Sequence, residues 1–248
     1  MSVSFISPRR LDREKLPLPV GVQCRESEDH QWRELAQTLD VSPFGARLQI
    51  SRPTEPGRLL FLTLPMPRHL RCYDHEAEHY AIWSLVRHAT PLPAPADRLP
   101  PFEVGVAFIG KDPPKTHELD PGQRFDILPR TNETDLWHPR EVDAADPQNL
   151  GASDRRCEPR HNIADNVVIE IFDSLGQVVE SEETLTENIS RRGMAVMTTM
   201  SIARGRYIRV RSAQYKLAVI AAVRRLAPAA NGHRRLHLEF VDQQWPAL

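Results

Sequence analysis

Two short patterns suited to gripping an anion occur twice in this 248-residue chain, in the same order. Arg9 and Arg13 form an Arg-x-x-x-Arg pair, followed by Asp40-Val41-Ser42-Pro43-Phe44-Gly45. Arg156 and Arg160 form a second pair, followed by Asn188-Ile189-Ser190-Arg191-Arg192-Gly193. The interval from the second arginine to the acidic or amide residue is 27 positions in one copy and 28 in the other, and neither pattern occurs a third time. The chain is an internal duplication.

These residue types carry a specific chemistry. The planar donor fork of arginine bonds phosphate oxygens in pairs, bonds guanine O6 and N7, and lies flat against a purine face, whereas lysine offers only a compact charge. In an extended arm, residues four apart lie roughly 13 Å from each other on one side, so the pair makes a clamp. Asp40 or Asn188 supplies an oxygen that accepts from guanine N–H groups, and the Ser42 or Ser190 hydroxyl both donates and accepts. Glycine at the end of the pattern permits positive φ and close backbone approach in a tight turn. Taken singly, each element also reads as solvated charge or as a turn whose Asp and Ser bond their own backbone. Four matches in register point to a ligand site.

At these residues the sequence resembles the PilZ family, bacterial small β-barrel domains whose members typically bind the second messenger cyclic di-GMP through these two patterns. The resemblance covers residues 8 to 112 and 154 to 241. It extends to Val104-Gly105-Val106-Ala107-Phe108-Ile109 beside Leu236-His237-Leu238-Glu239-Phe240-Val241, and to the segment Tyr80 to Arg87 beside Tyr215 to Arg224. The implied fold is mainly all-β, with two small antiparallel PilZ-type barrels at residues 1–116 and 151–248 and a linker at 117–150. The implied ligand residues are Arg9, Arg10, Arg13, Asp40, Ser42 and Gly45 in the first unit. In the second they are Arg155, Arg156, Arg160, Asn188, Ser190 and Gly193.

In the family, an extra arginine before the pair tends to accompany binding of a stacked ligand dimer; Arg155 holds that place in the second copy and Pro8 in the first. With Arg191 and Arg192 adding positive potential to the second turn, the second copy reads as the tighter site. The resemblance implies no catalytic residue, metal or cofactor. Its implied partners are cyclic di-GMP and a downstream protein. Many PilZ domains also end in a helix after the last strand, and with Trp245-Pro246-Ala247-Leu248 closing the sequence, that helix reads as absent or reduced.

Composition bounds the alternatives. With 40% hydrophobic and 26% charged residues the chain is that of a globular protein, and a net charge of −1 argues against a general DNA or RNA binder. Three cysteines, Cys24, Cys72 and Cys157, are too few and too oddly numbered for a disulfide framework, and no apolar run reaches the length of a signal peptide or a membrane span. A cytoplasmic location follows as the expectation. Short apolar runs broken by Gly, Pro, Asn and Asp mark strands at Leu16 to Cys24, Ala46 to Ile50, Leu59 to Leu64, Tyr80 to Val86 and Glu103 to Ile109. They recur at Asn166 to Phe172, Met194 to Met197, Tyr207 to Val210, Tyr215 to Val223 and Leu236 to Val241. Between the repeats, His117 to Leu150 lacks a sustained period and reads as a linker, although Phe125, Ile127, Leu128, Leu136 and Trp137 are apolar enough to dock.

Two rival readings remain at this level. The duplicated barrels could be a protein-interaction scaffold whose ligand sites have decayed. His75-Glu76-Ala77-Glu78-His79 also matches His-Glu-x-x-His, the zinc-hydrolase pattern, with Asp74 as a helix cap and His69, Cys72 and His88 as further ligands. That chemistry requires a helix, so that two histidines stand one turn apart, and a third ligand.

Overall fold

The computed structural model describes residues 13–94, 99–128, 132, 135–142, 161–229 and 232–246. In the first half, period-two alternation builds strands β1 (Pro19–Arg25), β2 (Gln31–Ser42), β3 (Gly45–Ile50), β4 (Leu59–Leu64), β5 (Tyr80–Pro91) and β6 (Phe102–Gly110). They close in the order β1-β2-β3-β6-β5-β4, with every neighbouring pair antiparallel. Val20 and Val22 of β1, Leu60, Leu62 and Leu64 of β4, and Val104, Val106 and Phe108 of β6 point inward and fill the interior. Closure leaves no free sheet edge, and the interior of so small a barrel is wide enough only for side chains.

A short helix α1 (Lys115–Leu119) and a two-stranded ribbon, β7 (Phe125–Leu128) with β8 (His138–Glu141), follow. The second half repeats the first barrel strand for strand. Its elements are β9 (Asn166–Phe172), β10 (Val178–Ser190), β11 (Gly193–Thr198), β12 (Tyr207–Ser212), β13 (Leu217–Pro228) and β14 (Arg234–Phe240), and they close in the equivalent order. Val167, Ile169, Ile208, Val210, Val219 and Leu236 form its core. After β14 no helix forms over residues 241–246; Trp245 instead turns back, fully buried, between Tyr215 and Phe240. No helix among the described residues is long and apolar enough to cross a membrane.

Besides the ribbon strands β7 and β8, two barrel strands escape the sequence pattern, and both lead into a motif turn. On β2 the outward residues Gln31, Arg33 and Gln37 break up any apolar run, and on β10 most of Val178–Leu185 is exposed. Their pairing comes from neighbours, not from their own hydrophobicity. Each barrel also carries two bulges at equivalent places, at Leu39 and Arg87 in the first and at Glu187 and Arg224 in the second. A bulge re-aims the side chain of its extra residue. Arg87 thereby reaches Asp126 of β7 at 2.6 Å, and Arg224 reaches Glu55 of the first barrel at 2.7 Å.

The two barrels meet through a buried ionic joint. Arg58, with no exposed surface, donates from Nε to the Tyr207 hydroxyl at 3.1 Å, from Nη1 to the Pro121 carbonyl at 3.0 Å, and from Nη2 to the Gly205 carbonyl. Arg224 holds Glu55 through both Nη groups and Glu239 through Nε at 2.6 Å. Arg206 lies 3.4 Å from Glu26, which also accepts from the Trp32 indole at 2.8 Å. Burial alone would raise the Glu55 carboxyl, but the Arg224, Arg124 and Arg58 guanidiniums outweigh it and hold that group well below the usual carboxylate range. For Glu26, burial wins and pushes the carboxyl up, because its compensating arginines are fewer. Backbones approach closely here: at Gly205, with φ +91°, a Cβ would stand 2.3 Å from the Glu26 carbonyl oxygen.

The ribbon is docked, not free. Phe125 is buried, its N–H donates to the Gly57 carbonyl at 2.9 Å, and Ile127 packs beside it, while Leu128 stays exposed. On α1, His117 is buried edge-on to Trp83 and Phe125, with neither ring nitrogen hydrogen-bonded. Burial, aided by Arg25 and Arg58, lowers its pKa to about 4. The neutral ring is therefore the folded form, and its contribution is present above the unfolded value near 6.5 and lost as pH falls toward 4. Acidification through that window is expected to cost up to about 3 kcal/mol at this position. His117→Phe is expected to flatten that part of the stability profile, checked by thermal melts of both proteins between pH 7 and pH 4; parallel curves would contradict it.

Candidate ligand site at the barrel corners

Each motif occupies the corner where the barrel's second strand turns into its third, and the two copies have the same local construction. Ser42 Oγ donates to the Gly45 carbonyl at 3.2 Å, and Ser190 Oγ donates to the Gly193 carbonyl at 3.1 Å. The glycines serve close approach alone. Neither has positive φ, but a Cβ on Gly45 would lie 2.3 Å from the Val106 carbonyl oxygen and one on Gly193 2.2 Å from that of Leu238. The expectation of positive φ at these positions is corrected accordingly: the turn is ordinary, and the neighbouring strand is what excludes a side chain. Gly193→Ala is expected to force β11 from β14 and cost roughly 2 kcal/mol, within the range for overpacking, measured by denaturant unfolding.

The arm that carries the arginines is pinned to this corner in both copies. Glu14, directly after Arg13, bridges Val41, directly after Asp40, through two backbone bonds of 2.8 and 2.9 Å. His161, directly after Arg160, bridges Ile189, directly after Asn188, through two bonds of 2.9 Å. A buried threonine two residues before the acidic or amide position fastens the arm further. Thr38 Oγ1 donates to the Leu16 carbonyl at 2.5 Å and accepts from the Leu18 N–H at 2.9 Å; Thr186 Oγ1 donates to the Ile163 carbonyl at 2.6 Å and accepts from the Asp165 N–H at 2.9 Å. The sequence pattern thus extends to Thr-x-[Asp/Asn]-x-Ser-x-x-Gly, a duplicated signal that the shorter reading leaves out.

Among the predicted residues, the structure brings Arg13, Asp40, Ser42 and Gly45 together at the first corner. Arg13 Nη1 donates to Asp40 Oδ1 at 2.9 Å. Asp40 is also held by Arg47 of β3, whose Nε lies 2.9 Å from Oδ2 and whose Nη1 reaches Glu103 at 3.1 Å. The Asp40 carboxylate is the main cause that raises the Arg47 pKa. At the second corner Asn188, Ser190 and Gly193 stand together, but Ala195 takes the place of Arg47, and Asn188 Oδ1 is buried with no hydrogen-bond donor among the described residues. Arg9, Arg10, Arg155, Arg156 and Arg160 lie outside the described residues.

The His-Glu-x-x-His segment forms an exposed turn that leads into β5, with Asp74 at φ 53°. No helix stands there to stack His75 over His79, and no cluster of three potential metal ligands occurs among the described residues. The turn is tied by Arg71, whose guanidinium donates to the carbonyls of Met66, Asp74, Ala77 and Glu78 at 2.6 to 3.3 Å. Of the cysteines, Cys24 is enclosed in the first core, and burial pushes its thiol up to about 12, which leaves no nucleophile there.

No family model and no curated protein matches the chain. Solved structures do. The Bacillus subtilis inhibitor of motility MotI/DgrA is 14% identical, over 93% of this chain and 90% of that one, with a TM-score of 0.30. The Borreliella burgdorferi PlzA protein in complex with c-di-GMP is 11% identical over 93% and 87%, with a TM-score of 0.29. The K. pneumonia MrkH–c-di-GMP complex is 10% identical over 90% and 79%, with a TM-score of 0.28. The chain is a tandem of two closed six-stranded antiparallel barrels, and the solved structures it matches are PilZ-containing proteins.

Proposed function

We propose that this chain is a cyclic di-GMP receptor that acts by equilibrium binding, with one site at each barrel corner. The two units would be residues 1–116 and 151–248, joined by 117–150. The observation that carries the reading is the pinned arm. In both copies the residue after the second arginine pairs with the residue after Asp40 or Asn188, and in the first copy Arg13 meets Asp40 at 2.9 Å. That pairing supports a reading in which arm and turn bind one small molecule together.

In this reading Arg9, Arg10 and Arg13, or Arg155, Arg156 and Arg160, bond phosphate and guanine. Asp40 or Asn188 accepts from guanine N–H groups, and Ser42 or Ser190 bonds the ligand next to Gly45 or Gly193. The second site is the tighter one. At the first, Arg13 and Arg47 are already paired with Asp40, so a phosphate must compete with that carboxylate. At the second, the buried Asn188 Oδ1 has no donor among the described residues and would accept from the ligand. Occupancy then changes how the barrels or a downstream protein pack.

Isothermal titration with cyclic di-GMP at physiological salt tests this. A saturable heat with two affinities, the tighter lost in Arg160→Ala and the weaker in Arg13→Ala, supports it. No binding at all would leave the scaffold reading in its place.

A further inference from the structure

We propose that the docked ribbon between the barrels completes the first ligand site and carries its occupancy to the inter-barrel joint, with Trp137 as the positioning residue. This rests on the receptor reading. The Phe44 carbonyl, inside the first motif turn, accepts two bonds: from the Phe108 N–H at 2.9 Å, and from the Trp137 indole Nε1 at 3.1 Å. The Trp137 N–H donates back to the Phe108 carbonyl at 3.0 Å, and Leu136 packs on the first core. A residue 93 positions downstream of Phe44 thus holds the turn that presents Ser42.

The second barrel solves the same problem internally. Its Arg192 carbonyl accepts from the Phe240 N–H at 2.8 Å, and the Arg191 carbonyl accepts from the Trp245 N–H at 2.8 Å. Trp245 belongs to that barrel's own closing segment. The second turn is thus held within its own barrel, whereas the first is held in addition by the inter-barrel ribbon.

The mechanical route is short. Trp137 immediately precedes β8, whose Arg140 and Glu141 pair with Asp126 and Phe125 of β7. Asp126 takes the bulge arginine Arg87 at 2.6 Å and Arg140 at 3.4 Å, Phe125 caps Gly57, and Arg124 reaches Glu55 at 3.6 Å and Glu239 at 3.9 Å. Glu239 is in register with Gly193, the last residue of the second motif. A displacement of the Phe44 carbonyl by ligand at Ser42 is therefore transmitted by a paired ribbon to Glu55, where both barrels are held. The paired ribbon is the physical link that such a coupling needs.

Trp137→Phe keeps the aromatic packing and removes the indole donor. In an Arg160→Ala background, which silences the second site, it is expected to weaken cyclic di-GMP binding about five- to tenfold, the value of one hydrogen bond. It is also expected to abolish the ligand-induced slowing of amide exchange over residues 121–128 that is expected of the parent with Trp137. In an Arg13→Ala background the same substitution should leave second-site affinity unchanged, which a general loss of folding would not. First-site binding that Arg13→Ala abolishes but Trp137→Phe leaves intact, in affinity and in ribbon exchange, overturns this proposal alone. No first-site binding in the Arg160→Ala parent overturns both it and the first-site half of the receptor reading.

Discussion

Arg160→Ala is expected to lower cyclic di-GMP affinity at the second site by roughly 30- to 150-fold, with no change in melting temperature beyond a degree or so. A charged, bidentate hydrogen bond is worth about 2–3 kcal/mol, and that converts directly into this loss. Arg156→Ala should behave alike, since the clamp works by holding separated parts of one ligand. Arg160→Lys should recover charge but not the fork, and so restore only part of the affinity. The melting temperature is expected to hold because the arm is pinned by the backbone of His161 on Ile189 and by Thr186 on Ile163. Titration calorimetry paired with thermal melts reads both quantities. A fall in melting temperature that tracks the loss of binding would assign Arg160 a structural role instead.

The other large effect is expected at the joint. Glu55→Ala removes the carboxylate that Arg224, Arg58 and Arg124 share; Arg224 keeps Glu239, but the fully buried Arg58 loses its carboxylate partner. Stranding a buried charge in this way costs about 3–5 kcal/mol. The opposite design, with Glu55 and Arg224 both made apolar, should be much milder, because a well-formed buried ion pair contributes little net stability over an apolar pair of similar volume. Chemical denaturation of the single and double variants decides the matter: a double variant as unstable as Glu55→Ala would mean that packing at this point, not charge balance, holds the barrels together.

Much of the architecture was legible in residue order. The short, nearly continuous apolar runs of Leu59–Leu64 and Asn166–Phe172, bounded by polar and turn residues, mark strands. Duplication was visible too, since Arg13, Asp40, Ser42 and Gly45 recur as Arg160, Asn188, Ser190 and Gly193 at nearly fixed separations. Between the repeats, Phe125, Ile127, Leu136 and Trp137 contact the first barrel while Leu128 is exposed.

What stayed hidden depends on partners far apart in the chain. β2 and β10 have mixed surfaces because one face looks outward, and only closure of the barrel gives them neighbours on both sides. Nothing around Arg58 predicts that its guanidinium meets Tyr207, 149 positions away, or that Arg87 and Arg224, equivalent by duplication, serve different contacts. The sequence by itself determined the residue types at each corner, the two-barrel organisation and the repeat of the clamp, since these follow from local pattern and short spacing. Tertiary structure alone decided that Gly45 and Gly193 yield to a passing strand, that Asp40 pairs with Arg13 and Arg47 while Ala195 stands opposite Asn188, and that a ribbon joins the first corner to Glu55. Those outcomes arise from register and closure, which bring together groups whose separation along the chain encodes no distance in space.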